Sequence, residues 1–195
     1  VTLALNAGCQ VFTTVGTDRK RQFLLKRFGD KGLKNCHIGH SRSDSFVSWI
    51  LEQTHGQGCD VVLNSLSGPL FQASIQCVAP HGTFLEIGKV DLFADTPIGA
   101  KLFLHNITFA GIDLDQLFLR PSKWEQVHQG IQGLIDTNVI QPLPTKVFKA
   151  FQKEELSNAL RYLASSQHLG KVILDMNPDE DCPALVQQCH FEKGG

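Results

Sequence analysis

The sequence predicts an α/β fold, a doubly wound parallel sheet of Rossmann type with crossover helices. Two observations carry this. Short segments rich in β-branched and aromatic residues alternate with apolar-periodic stretches of about ten residues, the signature of βαβ units rather than hairpins. Gly, Pro, Ser or Asp separates the segments at most junctions, where chain reversals and helix caps need them.

The opening stretch VTLALNAG has helix formers closing at Gly8, so a helix is already under way at residue 1. Cys9 to Val15 reads as a strand stopping at Gly16, and Asp18 opens a basic amphipathic helix that closes at Gly29. A short apolar piece, Cys36 to Ile38, precedes Ser43 and Asp44, capping candidates for the helix FVSWILEQT, broken at Gly56. CDVVLN, from Cys59 to Asn64, reads as a buried strand, and Gly68 and Pro69 introduce the helical pattern LFQASIQCV. Pro80, His81 and Gly82 predict a turn, Thr83 to Ile87 a strand ending at Gly88, Ile98 to Phe103 a short helix, and Asn106 to Ile112 another strand. Pro121 suits the first turn of a helix through SKWEQVHQGIQGLIDT, with Trp124, Val127, Ile131, Leu134 and Ile135 on one face. Beyond Pro142 and Pro144, Lys146 to Phe151 reads as a strand, Lys153 to Ser165 as a helix and Lys171 to Asp175 as a last strand. The expected organisation is a nucleotide-type portion over 1–138, a return segment over 139–176 and a linker over 177–195.

Composition narrows the function classes. With 195 residues, 42% hydrophobic and 19% charged, the chain is long enough for one domain with a small appendage. Eighteen Lys and Arg against 19 Asp and Glu leave no excess of charge to hold nucleic acid non-specifically. No apolar run reaches the roughly 20 residues of a membrane span, which predicts a soluble cytoplasmic protein with neither nucleic-acid nor membrane partner. Six cysteines without a CxxC pair are expected to be free buried thiols, and the cluster Cys36, His37, His40, with Cys189 and His190 distant, is too sparse for zinc. Val1 in place of Met predicts a fragment or processed product.

A dinucleotide fold places a Gly-rich phosphate loop between its first strand and first helix. No GxGxxG occurs in the 195 residues. Because the opening reads as a helix in progress, that loop and the strand before it are expected upstream. The second strand of such a fold reads the cofactor's ribose at its end, with an acid for NAD and cations for NADP. Thr17, Asp18, Arg19, Lys20 and Arg21 follow Gly16 there, a hydroxyl and three cations that suit a phosphate.

Ligands of an open parallel sheet sit outside the carboxyl ends of its strands. Three segments end there in polar groups: Asn64 and Ser65, Lys89 after Gly88, and Asp113 and Asp115. A lysine at such an end can donate a proton to a developing enolate, and a neighbouring Asp can share it; a surface lysine and a loop Asp are the plain alternative. No GxSxG is present, so a nucleophile elbow is absent.

CDVVLNSLSG, APHGTFLEIGKVDL, LGKVILD and VFTTVGTDRKR together closely resemble the enoyl reductase domain of animal-type fatty acid synthases, and less closely that of reducing polyketide synthases. Both belong to the medium-chain dehydrogenase/reductase group, and the likeness runs from about Val1 to Asp175. The resemblance implies NADPH-dependent reduction of a trans-2-enoyl thioester held on an acyl carrier protein, with hydride to the β-carbon, a proton to the α-carbon and no metal. It implies Lys89 and Asp115 as proton donors, Thr17, Lys20 and Arg21 at the 2′-phosphate, and Asn64, Ser65 and Gly88 near the nicotinamide. Arg19 departs from the pattern, which often has an acid there. It further implies the other domains of the same synthase as partners, a homodimer, and a missing strand between the second and fourth of the order 3-2-1-4-5-6. Each buried backbone group orphaned by that gap costs on the order of 1–3 kcal/mol, so the 195-residue piece alone is expected to be unstable and inactive. A cooperative thermal transition of the expressed piece with tight NADPH binding would contradict that expectation. The alternatives are a stand-alone quinone or 2-alkenal reductase, a polyketide synthase enoyl reductase, and a non-catalytic scaffold with a decayed nucleotide site.

Overall fold

The computed structural model describes residues 1–152 and 154–177. The chain divides into two compact units, Val1–Gln141 and Pro142 onward. The first begins with helix α1 (Thr2–Asn6), then β1 (Thr13–Val15), α2 (Asp18–Phe28), β2 (Ile38–His40) and α3 (Ser45–Gln53). It continues with β3 (Cys59–Asn64), α4 (Pro69–Ile75), β4 (Val78–Glu86), α5 (Val90–Phe93), β5 (Thr108–Gly111), α6 (Asp115–Phe118) and α7 (Pro121–Asp136). Every ladder is parallel: β1 with β2, and β3, β4, β5 in that order. The α/β class with crossover helices is therefore the one observed. The two sheets share no ladder, and the expected order places one further strand between β1 and β3.

The core of this unit is three packed clusters. Phe71, Ile75, Val78, Phe84 and Ile107 join α4 to the larger sheet, with the Phe84 ring stacked on Phe109 at 5.5 Å and edge-on to Phe71. Phe46, Ile50, Ala73 and Cys77 lock α3 to α4, and Phe28, Leu33 and Ile38 seat α2 on the smaller sheet. Gly39 in β2 lies beneath the Trp49 ring, where an added Cβ would stand 2.6 Å from two ring carbons. Gly39→Ala is expected to cost on the order of 1–3 kcal/mol by overpacking, read as a lower denaturation midpoint with unchanged slope.

Several elements differ from the sequence reading. The strand expected from Cys9 is confined to Thr13–Val15, because its ladder partner among the described residues, β2, is three residues long. The turn expected at Pro80–Gly82 is a bulge inside the continuous strand β4: Cys59 pairs with Val78, and Val61 already pairs with Thr83. His81 takes φ +64° there, a left-handed conformation that absorbs the extra residues. The short helical segment expected near Ile98–Phe103 is a 3-10 helix two residues later, Ala100–His105, ended by left-handed Asn106. Cys77 is buried, but Cys9 and Cys36 are exposed, against the expectation of buried thiols throughout. Burial, with a smaller push from Cys59, raises the Cys77 thiol to about 12, which makes it an inert core group. Cys182, Cys189 and His190 lie outside the described residues.

The second unit pairs β6 (Thr145–Lys149) in parallel with β7 (Lys171–Asp175), joined by α8 (Glu155–Ala164). Its strand ends earlier than Phe151, and its helix is shorter than Lys153–Ser165; Lys153 itself and the expected linker beyond Asn177 fall outside the described residues.

Candidate functional site

At the carboxyl end of β1 the chain turns through Gly16 into α2. Thr17 is extended and its hydroxyl oxygen accepts from the Lys20 amide at 3.3 Å, capping the helix as its residue type favours. A cavity of about 150 Å³ opens there, lined by Val15, Gly16, Thr17, Asp18, Arg21 and His40. Two of the three residues expected at a phosphate, Thr17 and Arg21, are thus in its wall; Lys20 is not. The Arg21 guanidinium is held by the Asn35 carbonyl at 3.2 Å and by Asn35 Oδ1 at 3.1 Å, which fixes its direction. His40 Nδ1 accepts from the Arg42 amide at 3.3 Å, which leaves its Nε2 as donor. From the sequence Asp18 is a helix start with no ligand role, and Arg42 is not singled out. The hydroxyl, the guanidinium and the imidazole of this wall, beside the Asp18 carboxylate at a helix N-terminus, are groups that can hydrogen-bond the ribose of a nicotinamide dinucleotide.

A second cluster stands where β3, β4 and β5 end side by side, their ladders extended by Ile87 N–H to the Asn64 carbonyl and Ile112 N–H to the Glu86 carbonyl. Lys89 sits at the start of α5, two residues past Ile87, and its ammonium reaches Asp113 Oδ1 at 2.8 Å and Asp115 Oδ2 at 2.5 Å. The expected pair Lys89 and Asp115 is thereby brought together across 26 residues, with Asp113 as an equal partner. Asp113 Oδ1 also accepts from the Asp115 amide, fixing the first turn of α6. The Lys89 side chain is 41% exposed, so the ammonium is open to a substrate.

Beneath this cluster lies a buried carboxylate that sequence reasoning missed. Glu86 is 1% exposed; its Oε2 accepts from Asn64 Nδ2 at 2.6 Å and its Oε1 from the Gly88 amide at 2.5 Å. Asn64 also donates to the Leu66 carbonyl and accepts from the Leu66 amide, so its side chain is wholly engaged in holding the strand end. An added Cβ on Gly88 would stand 2.7 Å from Glu86 Oε1, which is why glycine occupies the position. Ser65 is exposed at the rim. Asp91 ties the two loops, accepting from the Gly68 amide at 2.9 Å and the Thr96 hydroxyl at 3.0 Å. A carboxylate alternating with apolar residues in a strand gives no sequence signal of burial; only its partners reveal it.

Hydrogen bonds from Lys89 to Asp113 and then Asp115 hold the lysine above its usual value, and the Lys89 bond followed by the Asp115 amide holds Asp113 below the usual carboxylate range. The lysine's contribution is present below the ordinary lysine pKa and lost as pH rises through its raised one. The Asp113 contribution is present above the ordinary Asp pKa and lost as pH falls through its lowered one. At neutral pH the cluster is one ammonium between two carboxylates. Lys89 is therefore expected to acylate more slowly at pH 9 than exposed Lys26 or Lys123 under an amine-directed reagent, read by peptide mass spectrometry; faster acylation would contradict the pairing.

Among the described residues no group of three or more His, Cys, Asp or Glu side chains is placed to hold a metal ion. Nor is any helix among them long and apolar enough to cross a membrane.

A family profile described as zinc-binding dehydrogenase matches residues 35–174. The reducing polyketide synthase FUB1 of Gibberella fujikuroi is 36% identical over 95% of this chain and 8% of its own length. The squalestatin hexaketide synthase of a Phoma species is 42% identical over 89% of this chain and 7% of its own. The solved nucleotide-binding subdomain of the enoylreductase domain of PpsC from Mycobacterium tuberculosis is 37% identical, covering 72% of this chain and 75% of that chain, with a TM-score of 0.63. The chain thus spans less than a tenth of the length of these curated relatives.

Proposed function

Since the chain belongs to the zinc-binding dehydrogenase family, in its enoyl reductase branch, we propose that it forms the nucleotide-binding part of an NADPH-dependent enoyl reductase within a multidomain polyketide synthase. The relatives above favour polyketide over the fatty acid assembly that the residue strings resemble most. The substrate is a trans-2-enoyl thioester on an acyl carrier protein, and the partners are the other domains of the same cytoplasmic synthase, acting as a homodimer. The observation that carries the reading is the Lys89–Asp113–Asp115 cluster at the carboxyl ends of β4 and β5.

NADPH, when bound, supplies the hydride that reduces the double bond. Thr17 and Arg21, with Lys20 nearby, would hold its 2′-phosphate, and the Asn64–Glu86–Gly88 hydrogen bonds, with Ser65 at the rim, fix the strand ends that would meet its nicotinamide. Lys89 Nζ delivers a proton to the α-carbon of the enolate, and Asp115, with Asp113, orients the ammonium and stabilises it until transfer. Among the described residues no donor set fits zinc, and the roles above are those of Lys89, Asp113 and Asp115.

Asp18 in the cavity wall favours a second reading, in which its carboxylate accepts from the ribose hydroxyls and the cofactor is NADH. Oxidation of NADPH and NADH by the intact protein with crotonyl pantetheine thioester separates the two. Faster NADPH turnover with thioester supports the first reading. A preference for NADH supports the second, and turnover of quinones with none of the thioester overturns the enoyl reductase assignment.

A further inference from the structure

We propose that Arg42, on the chain leaving β2, is the residue that selects the 2′-phosphorylated cofactor, an inference that rests on the NADPH reading above. Arg42 follows the last residue of β2 by two positions and lies across the cavity wall formed by Gly16. A Cβ built on Gly16 would stand 2.9 Å from Arg42 Nε, 3.6 Å from its Cγ and 3.5 Å from Ser41 Oγ. The Ser41 amide donates to the Val15 carbonyl at 3.1 Å, and the Arg42 amide to His40 Nδ1, so the backbone that carries Arg42 is fixed against the end of β1. Gly16 has no positive φ; what it provides is room for this guanidinium.

The charge around the cavity supplies the second argument. Asp18 lines it and repels a phosphate, so a cation must outweigh it. Arg21 is engaged by Asn35. Arg42 is exposed, and its guanidinium has no carboxylate or hydrogen-bond partner among the described residues. A guanidinium matches two phosphate oxygens at once, which a ribose hydroxyl cannot offer. The position is two residues past a neighbouring strand, far in sequence from the Thr17–Arg21 segment where a 2′-phosphate site is ordinarily sought.

The test is calorimetric binding of NADPH, NADH and the 2′,5′-ADP fragment to the intact protein and to Arg42→Ala, Arg42→Lys and Gly16→Ala, without turnover. Arg42→Ala is expected to weaken NADPH and 2′,5′-ADP on the order of tenfold, to leave NADH within twofold, and to keep the thermal midpoint. Arg42→Lys restores part of the loss. Gly16→Ala weakens NADPH in the parent and has little further effect in the Arg42→Ala background, because the group its methyl displaces is gone. Equal weakening of both cofactors, or an unchanged NADPH affinity with the parent's preference intact, overturns the role of Arg42 alone. A parent that binds both cofactors equally overturns the NADPH reading and this inference with it.

Discussion

Replacing Lys89 with Ala is expected to lower kcat for enoyl thioester reduction by 10²- to 10⁴-fold while NADPH binds within twofold of the parent, the span that a positioned general acid supplies. Nζ is held 2.8 Å from Asp113 and 2.5 Å from Asp115 yet remains open to solvent, so it is poised and reachable. Its raised affinity for the proton keeps the acid form complete at neutral pH; a carbanionic α-carbon is a strong enough base to take that proton. Asp113→Asn or Asp115→Asn alone leaves one carboxylate on the ammonium, so each is expected to cost on the order of tenfold, and the double substitution more than the product of the two. A Lys89→Ala enzyme within fivefold of the parent would move the proton donor elsewhere.

Glu86→Ala is expected to destabilise the protein by on the order of 3 kcal/mol. It strips the acceptor from the Gly88 amide and from Asn64 Nδ2 and leaves a void in a position only 1% exposed. Glu86→Gln keeps one acceptor but sets an amide N–H₂ against another: if Asn64 turns to relieve it, the bonds to Leu66 are lost. An intermediate loss is therefore expected. Chemical denaturation gives both values, and turnover of Glu86→Gln well below the parent at a temperature where it is fully folded would show that the Gly88 turn also sets the direction of Lys89. A Glu86→Ala protein as stable as the parent would contradict the structural role of the buried carboxylate.

The α/β alternation was legible because β3, β5 and β7 are short, largely apolar runs ending at Asn64, Gly111 and Asp175, and because strand ends in such a sheet gather polar groups. Lys89, Asp113 and Asp115 stand out on that ground, the resemblance singles out Lys89 and Asp115, and all three meet in space. What was not legible needed pairing information. The resemblance selects Asp115 alone, and only the structure shows Asp113 sharing the same ammonium. Glu86 reads as an ordinary alternating strand residue, and its burial follows from Asn64 standing opposite in register. The Pro80–Gly82 triplet has the composition of a turn, and only the ladder on both sides makes it a bulge. Arg42 follows a different strand from the segment it faces, so no spacing rule reaches it. The apolar stripe of α7 was read correctly as a stripe, with Trp124, Val127, Ile131 and Ile135 between 41 and 45% exposed.

The account rests on Lys89 protonating the α-carbon of an enoyl thioester after hydride reaches its β-carbon. The most direct test is reduction of a crotonyl thioester by the intact protein with NADPH in heavy water, with the product analysed by mass spectrometry and NMR. The account predicts one solvent deuterium at the α-carbon, none at the β-carbon, and a rate of incorporation that falls with Lys89→Ala. Deuterium at the β-carbon, or an α-deuterium that enters as fast in Lys89→Ala as in the parent, would contradict it.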